Sequence, residues 1–300
     1  MNHRVLASAL LALISTLASL GSQQPQPAQP AQPSQPVAKQ PQPKSKPEAE
    51  ALMAIFNAQD VDGRIKAAED FLTKFADTEF KTVTLQIIAV SYQQKNDFEK
   101  MVIYAERTLE SDPNNYVAML MLASAIPQRT REFDLDREEK LTRAEKFARS
   151  AQETLKTAPK PRPDIPDEQW AAVKKDFSSQ AHEALGLAAM VRKKYDVAIA
   201  EFKTAIETSA NPDPTVMVRL GAAYNLTGKY DEGIAVLDKV MAATDVHPQV
   251  RQFAQAERVR AIQAKTGGAK PAAPAPPSTT APAQVEIKPT APAQVEIKRP

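Results

Sequence analysis

His182–Ala205, HEALGLAAMVRKKYDVAIAEFKTA, and Met217–Val240, MVRLGAAYNLTGKYDEGIAVLDKV, are two copies of one pattern, 35 residues apart. The shift sets Leu185 on Leu220, Gly186 on Gly221, Ala188 on Ala223 and Lys194-Tyr195-Asp196 on Lys229-Tyr230-Asp231. It continues with Ala198 on Gly233, Ile199 on Ile234, Phe202 on Leu237 and Ala205 on Val240. Within each copy the apolar residues recur at three- and four-residue spacing and do not alternate, which predicts two amphipathic helices rather than a strand hairpin. A repeat of this period predicts stacked two-helix units that share one continuous core. Glycine inside a helix costs about 1 kcal/mol relative to alanine, so its recurrence at 186 and 221 predicts a close approach of the paired helix.

In order, Met217, Leu220, Gly221, Tyr224, Gly228, Tyr230, Gly233 and Leu237 stand in the second copy. His182, Leu185, Gly186, Tyr195, Ala198, Phe202 and Ala205 stand in the first. This order of residue types resembles the tetratricopeptide repeat. A third copy carries Leu85, Ile88, Ala89, Tyr92, Phe98 and a stop at Asp112-Pro113, with Met101 and Thr108 where small alanines are usual. Upstream, Phe71, Leu72 and Phe75 followed by Asp77-Thr78 resemble the repeat endings of bacterial envelope proteins of that family, which makes a degenerate fourth unit.

The resemblance implies an all-α solenoid of helical hairpins, flanked by proline-rich tails. It also implies that the first helix of each unit lines a concave groove holding a peptide or helix of a partner protein. Carried across residue by residue, the groove positions are Gln180, Glu183, Leu187 and Met190 in one unit and Thr215, Val218, Ala222 and Asn225 in the next. The family subset that grips a C-terminal carboxylate uses Lys, Asn and Arg at such positions, and this sequence lacks them. Leu187, Met190, Val218 and Ala222 instead make an apolar strip edged with polar groups, suited to an amphipathic helix or an extended chain.

Outward from the two copies the pattern loosens. Tyr116 to Ile126 begins as a first helix, but Pro127 to Asp136 stands where a tight turn belongs, and a helix from about Arg137 to Thr157 follows with Leu141, Ala144, Phe147, Ala148, Ala151 and Leu155 on one stripe. The prolines of 158–166 break the helices, and Asp167 reads as the cap of a helix running to about Arg192. Trp170, Val173, Phe177 and Ala181 extend that helix's apolar stripe upstream, to dock on the preceding unit. Val250, Phe253, Ala254, Val259 and Ile262 give a last amphipathic helix, placed as the polar-backed cap of a solenoid.

The ends of the 300 residues differ in composition from the middle. His3 and Arg4 precede an apolar run to Leu20, with small Ser19 and Gly21 before Ser22, the form of a secretory signal over 1–21. An uncleaved membrane anchor is the alternative. Residues 22–46, mostly Gln, Pro, Ala and Ser, predict a disordered linker, and 267–300 a second such tail in which TAPAQVEIK occurs twice. The Val285-Glu286-Ile287 pattern in that tail suits a short strand on a partner's sheet edge, or is a duplication in a neutral linker. Between the tails lie degenerate repeats over 47–157, the break at 158–166 and the better repeats with their capping helix over 167–266.

The formal net charge is +2, and the basic excess sits on the tails, leaving a mildly acidic body that lacks a nucleic-acid footprint. There is no cysteine, and behind the signal only His182 and His247 remain as histidines, so thiol, imidazole and metal chemistry have little to work with. His182 reads as a packing residue and His247 as a solvated cap. Gly228-Lys229 lacks the spacing of a phosphate loop, because Ala223 and Tyr230 stand where Gly and Ser or Thr are needed. The acids Asp134, Asp136, Glu138 and Glu139 read as a solvated loop and first helical turn. The expectation is an exported, non-catalytic scaffold that takes no cofactor, metal, nucleic acid or small-molecule substrate and holds other proteins or peptides. It meets a membrane only if the signal stays uncleaved. The alternative is an envelope spacer whose tails make the contacts.

Overall fold

The computed structural model describes residues 41–161 and 163–267. The signal segment, most of the first linker and the duplicated tail lie outside them. The described residues form eleven α-helices and no strand: α1 (Lys46–Phe56), α2 (Val61–Lys74), α3 (Lys81–Gln94), α4 (Phe98–Ser111), α5 (Tyr116–Arg129), α6 (Arg137–Thr157), α7 (Asp167–Val191), α8 (Tyr195–Thr208), α9 (Pro214–Leu226), α10 (Tyr230–Ala242) and α11 (Pro248–Lys265). They pair as five helical hairpins, α1–α2 through α9–α10, with α11 closing the end. Each second helix also packs on the first helix of the next hairpin. First helices meet directly as well, α5 on α7 and α9 on α11.

Short polar side chains start many of the helices. Ser45, Asp60, Asp97, Asn115, Asp213 and His247 each accept a hydrogen bond from an amide of the first turn, satisfying a donor that has no partner inside the helix. His247 is thus the cap its sequence position suggests. The hairpin turns share one device. Asn96, Lys193 and Gly228 occupy the same repeat position and all have positive φ, and the following amide of each unit, Asp97, Lys194 and Lys229, reaches back to Tyr92, Ala189 and Tyr224 O at 2.9 to 3.0 Å. This closure satisfies carbonyls at the helix end and sets the second helix antiparallel to the first.

The glycines sit where helices cross. A Cβ on Gly186 would lie 2.5 Å from Phe202 Cε1, and one on Gly221 would lie 2.7 Å from Leu237 Cγ. Phe202 and Leu237 are wholly buried, so the absent side chain is what lets each hairpin close. The apolar interior is segmented as a solenoid's should be. One large cluster runs from Leu52 to Leu185, a second gathers Ala189, Phe202 and Leu220, and a third gathers Leu237, Val240, Val246 and Ala254.

Three expectations need correction. Pro127 does not begin the loop but lies buried inside the last turn of α5. The turn survives because Gln128 Nε2 donates to Ser124 O (2.7 Å) and the Thr130 hydroxyl to Ile126 O (2.8 Å), binding carbonyls at the helix end. Asp167 is the first residue of α7 rather than its cap: Pro166 holds the cap position, and the Asp167 carboxylate accepts from Lys160 Nζ at 2.7 Å. On α11 the buried residues are Ala254 and Ala261, whereas Phe253 is 50 % exposed and Val259 is also exposed. Small residues let α11 settle close on α9 and α10; Val250 still packs on the third cluster and Ile262 is half-buried, and only Phe253 and Val259 are turned outward.

Candidate partner groove

α7 is the longest helix, and its two halves have different jobs. The first half docks on the preceding hairpin, with Phe177 edge-to-face on Tyr116 (ring centroids 5.1 Å apart) and Trp170 Nε1 donating to Ala158 O at 3.2 Å. This matches the docking read from Trp170 and Phe177. The packing also covers α5, whose residues from Val117 to Ala125 are all buried, as expected of a helix apolar on every side. The second half of α7 is the repeat's first helix, and α9 is its counterpart in the next unit.

Gln180, Glu183, Leu187 and Met190 share one stripe of α7 because their spacing of three and four residues returns them to one face, and Thr215, Val218, Ala222 and Asn225 do the same on α9. Six of the eight are half-buried with side chains still reaching the surface: Gln180, Leu187, Met190, Thr215, Val218 and Ala222. Leu187 and Met190 lean on the second core cluster and Val218 on the third, so the strip is held in place from beneath.

The other two are taken up internally. Glu183 is buried, and its carboxylate accepts from Arg219 Nη1 on α9. Burial pushes the Arg219 guanidinium down to about 10, and the pair joins two neighbouring first helices across the stripe. Asn225 Nδ2 donates to Glu257 O (3.0 Å) and Glu257 Oε2 (3.1 Å), which ties α9 to α11. Asn225 therefore fastens the cap. Arg219 and Glu257 are the residues that reading the repeat alone passes over. The signal for Arg219 was present: opposite charges 36 residues apart, one period plus one, fall side by side on successive first helices.

Away from the stripe, His182 does more than pack. Its Nδ1 hydrogen-bonds Glu201 Oε2 (2.7 Å) on α8, and its Nε2 meets the Gln152 amide of α6 (2.9 Å), so it links three helices. An open cleft of about 630 Å³ lies elsewhere, between Pro113–Met119 and the outer face of α6, lined by Lys146, Arg149 and Ser150. Among the described residues no cluster of acids and histidines is arranged to hold a metal ion, and no helix is long and apolar enough to cross a membrane.

Paired helices of this length, glycine-packed and stacked hairpin on hairpin, define a helical-hairpin repeat architecture. The sequence model of the tetratricopeptide repeat matches residues 84–115, the third copy described above. Among solved structures, a thermophilic tetratricopeptide protein of Thermus thermophilus superposes with a TM-score of 0.50 at 15 % identity, over 71 % of this chain and 99 % of that one. A tetratricopeptide protein of Parabacteroides merdae aligns over 75 % of this chain and 94 % of its own at 12 % identity, with a TM-score of 0.39. No curated protein matches the sequence. The chain thus carries a tetratricopeptide repeat at 84–115 within an all-α hairpin fold like that of the Thermus protein, and such a repeat suggests a protein–protein interaction scaffold.

Proposed function

We propose that this chain is a non-catalytic scaffold that works outside the cytoplasm and holds a peptide or helix of a partner protein along the inner stripe of α7 and α9. The observation that carries the reading is the strip Leu187, Met190, Val218 and Ala222: half-buried, supported by core on one side and open on the other. Such a strip suits apolar anchors at helical or extended spacing, and the Glu183–Arg219 pair holds its two helices in register. The inventory of side chains supports the absence of catalysis, since there is no cysteine and Glu132, Asp134, Asp136 and Glu138 are engaged with lysines and arginines. Export rests on the His3, Arg4 and apolar-run pattern of the first 21 residues.

Two measurements test this. Mass spectrometry of the protein from its native host should find a mature start near Ser22, and an intact Met1 in a soluble cytoplasmic fraction would end the export claim. In a crosslinking pull-down from the envelope fraction, Leu187→Asp with Val218→Asp should lose the captured partner while deletion of 268–300 keeps it. The reverse pattern would make the solenoid a spacer and the tail the binding element.

A further inference from the structure

A helix that closes a solenoid turns a polar face to water. On α11 two apolar side chains are exposed nonetheless, Phe253 at 50 % and Val259 at 38 %, and they face different ways. Six residues at about 100° each put Val259 about 120° round the helix from Phe253.

The contacts of α11 fix both directions. Ala254 and Ala261 are buried and mark the side against the body, and Val250 beside them packs on the third core cluster together with Val218. Arg251 donates to Met241 O (2.9 Å) and Ala243 O (2.8 Å) and Arg258 to Asp238 Oδ1 (2.5 Å), so these two mark the side toward α10. Glu257 marks the side toward α9, where Asn225 Nδ2 donates to its carbonyl and its carboxylate. Phe253 stands one turn before Glu257 on that α9 edge, and Val259 lies on the back of the helix. The repeat period gives the same placement, since Val250, Phe253 and Glu257 stand 35 residues beyond Thr215, Val218 and Ala222. We propose that Phe253 is a third rung of the α7–α9 stripe, and that the stripe so extended holds an amphipathic helix of a partner protein. This rests on the reading of that stripe as the binding face.

Charge and spacing select the occupant. The ionisable groups along the stripe are engaged with one another, Glu183 with Arg219 and Glu257 with Arg260 and Asn225, so the surface from Leu187 to Phe253 suits uncharged apolar side chains. α7, α9 and α11 run in one direction, each the reverse of the second helix between, and packed helices stand about 8–10 Å apart. A helix laid across them returns the same face every seven residues, about 10.5 Å, whereas an extended strand returns it every second residue, about 7 Å. Apolar residues seven apart on a partner helix therefore meet Leu187, then Val218 and Ala222, then Phe253.

The test places photoreactive benzoylphenylalanine at Phe253, and separately at Leu187 and Val259, in the full chain in its native host, and maps the adducts by mass spectrometry. Phe253 and Leu187 should mark one helical segment of the same partner, at residues about fourteen apart, and Val259 should not mark it. With that segment synthesised, Phe253→Ala should weaken its binding about three- to tenfold, the effect of leaving half an aromatic side chain in water, and Val259→Ala should leave it unchanged, both measured well below the melting temperature. Adducts at Leu187 with none at Phe253, or with those of Phe253 on another protein, would overturn the third rung and leave the two-helix stripe standing. No adduct at Leu187 would remove the stripe reading and the proposal with it. Adducts from Phe253 on a second copy, on residues 268–300 of its own chain, or on a segment without apolar residues seven apart would also overturn it.

Discussion

Gly186 marks the point where the edge of the Phe202 ring occupies the space a β-carbon needs. Gly186→Ala gains about 1 kcal/mol of helix propensity, but the buried ring has nowhere to move, and overpacking of this kind costs about 1–3 kcal/mol. The variant should therefore melt lower, and on a Phe202→Ala background the same change should raise the melting point. A stabilised Gly186→Ala single variant would contradict the packing. This contact was legible in the sequence, because a helical glycine repeated at one position has few other causes. The Glu183–Arg219 pair was not, since the repeat pattern marks Glu183 only as a groove position. Glu183→Leu alone leaves a half-buried cation without its partner and should be destabilising, while Glu183→Leu with Arg219→Met should return most of that loss in chemical denaturation. Equal destabilisation of the single and double variants would show that the pair does not hold the helices in register.

At the scale of elements, the hairpin turns carry a strain that one unit relieves and another keeps. Gly228 adopts φ +77° freely, whereas Lys193 sits at φ 60°, in a region that costs most side chains about 1–2 kcal/mol. Lys193→Gly also removes a solvent-exposed pair with Glu132, and an exposed pair contributes little, so stability should rise modestly. A clear fall in the denaturation midpoint would contradict this. Tyrosines report the packing between hairpins. Burial and a hydrogen bond to Glu69 (2.7 Å) push Tyr104 up to about 12, and burial alone pushes Tyr116 up to about 12. Tyr92 is raised by burial and by the same Glu69 carboxylate. With folded values above the unfolded value of about 10, their contribution is complete below pH 10 and is lost as pH climbs toward 12. Absorbance titration should show Tyr92, Tyr104 and Tyr116 ionising later than free tyrosine, merging into one step near pH 10 in guanidinium. A single normal step in the native protein would show those rings to be exposed. Helix positions were mostly legible because apolar stripes and caps are local. Pro127 was misread because proline ordinarily ends a helix, and the bonds of Gln128 and Thr130 that keep the last turn intact cannot be seen from spacing. Asp167 was misread because Lys160, across the proline break, claims its carboxylate.

Across the whole molecule, the repeat period forecast a solenoid with a segmented core, and the outward-facing Phe253 and Val259 escaped notice because amphipathicity cannot say how closely α11 approaches its neighbours. The site was half legible: the resemblance to the tetratricopeptide repeat implied the stripe positions, but which of them remain open depends on Arg219 and Glu257, partners set by the stacking of helices distant in sequence. The central claim is that polypeptide is held on the inner, first-helix face. The direct measurement compares photocrosslinking yield, in the native host, from probes at Leu187 and Ala222 on the first helices with yield from probes at Lys203 and Lys239 on the exposed face of the second helices. Protein adducts concentrated at Leu187 and Ala222 are the predicted result. Equal yields from both faces, or adducts confined to Lys203 and Lys239, would contradict it.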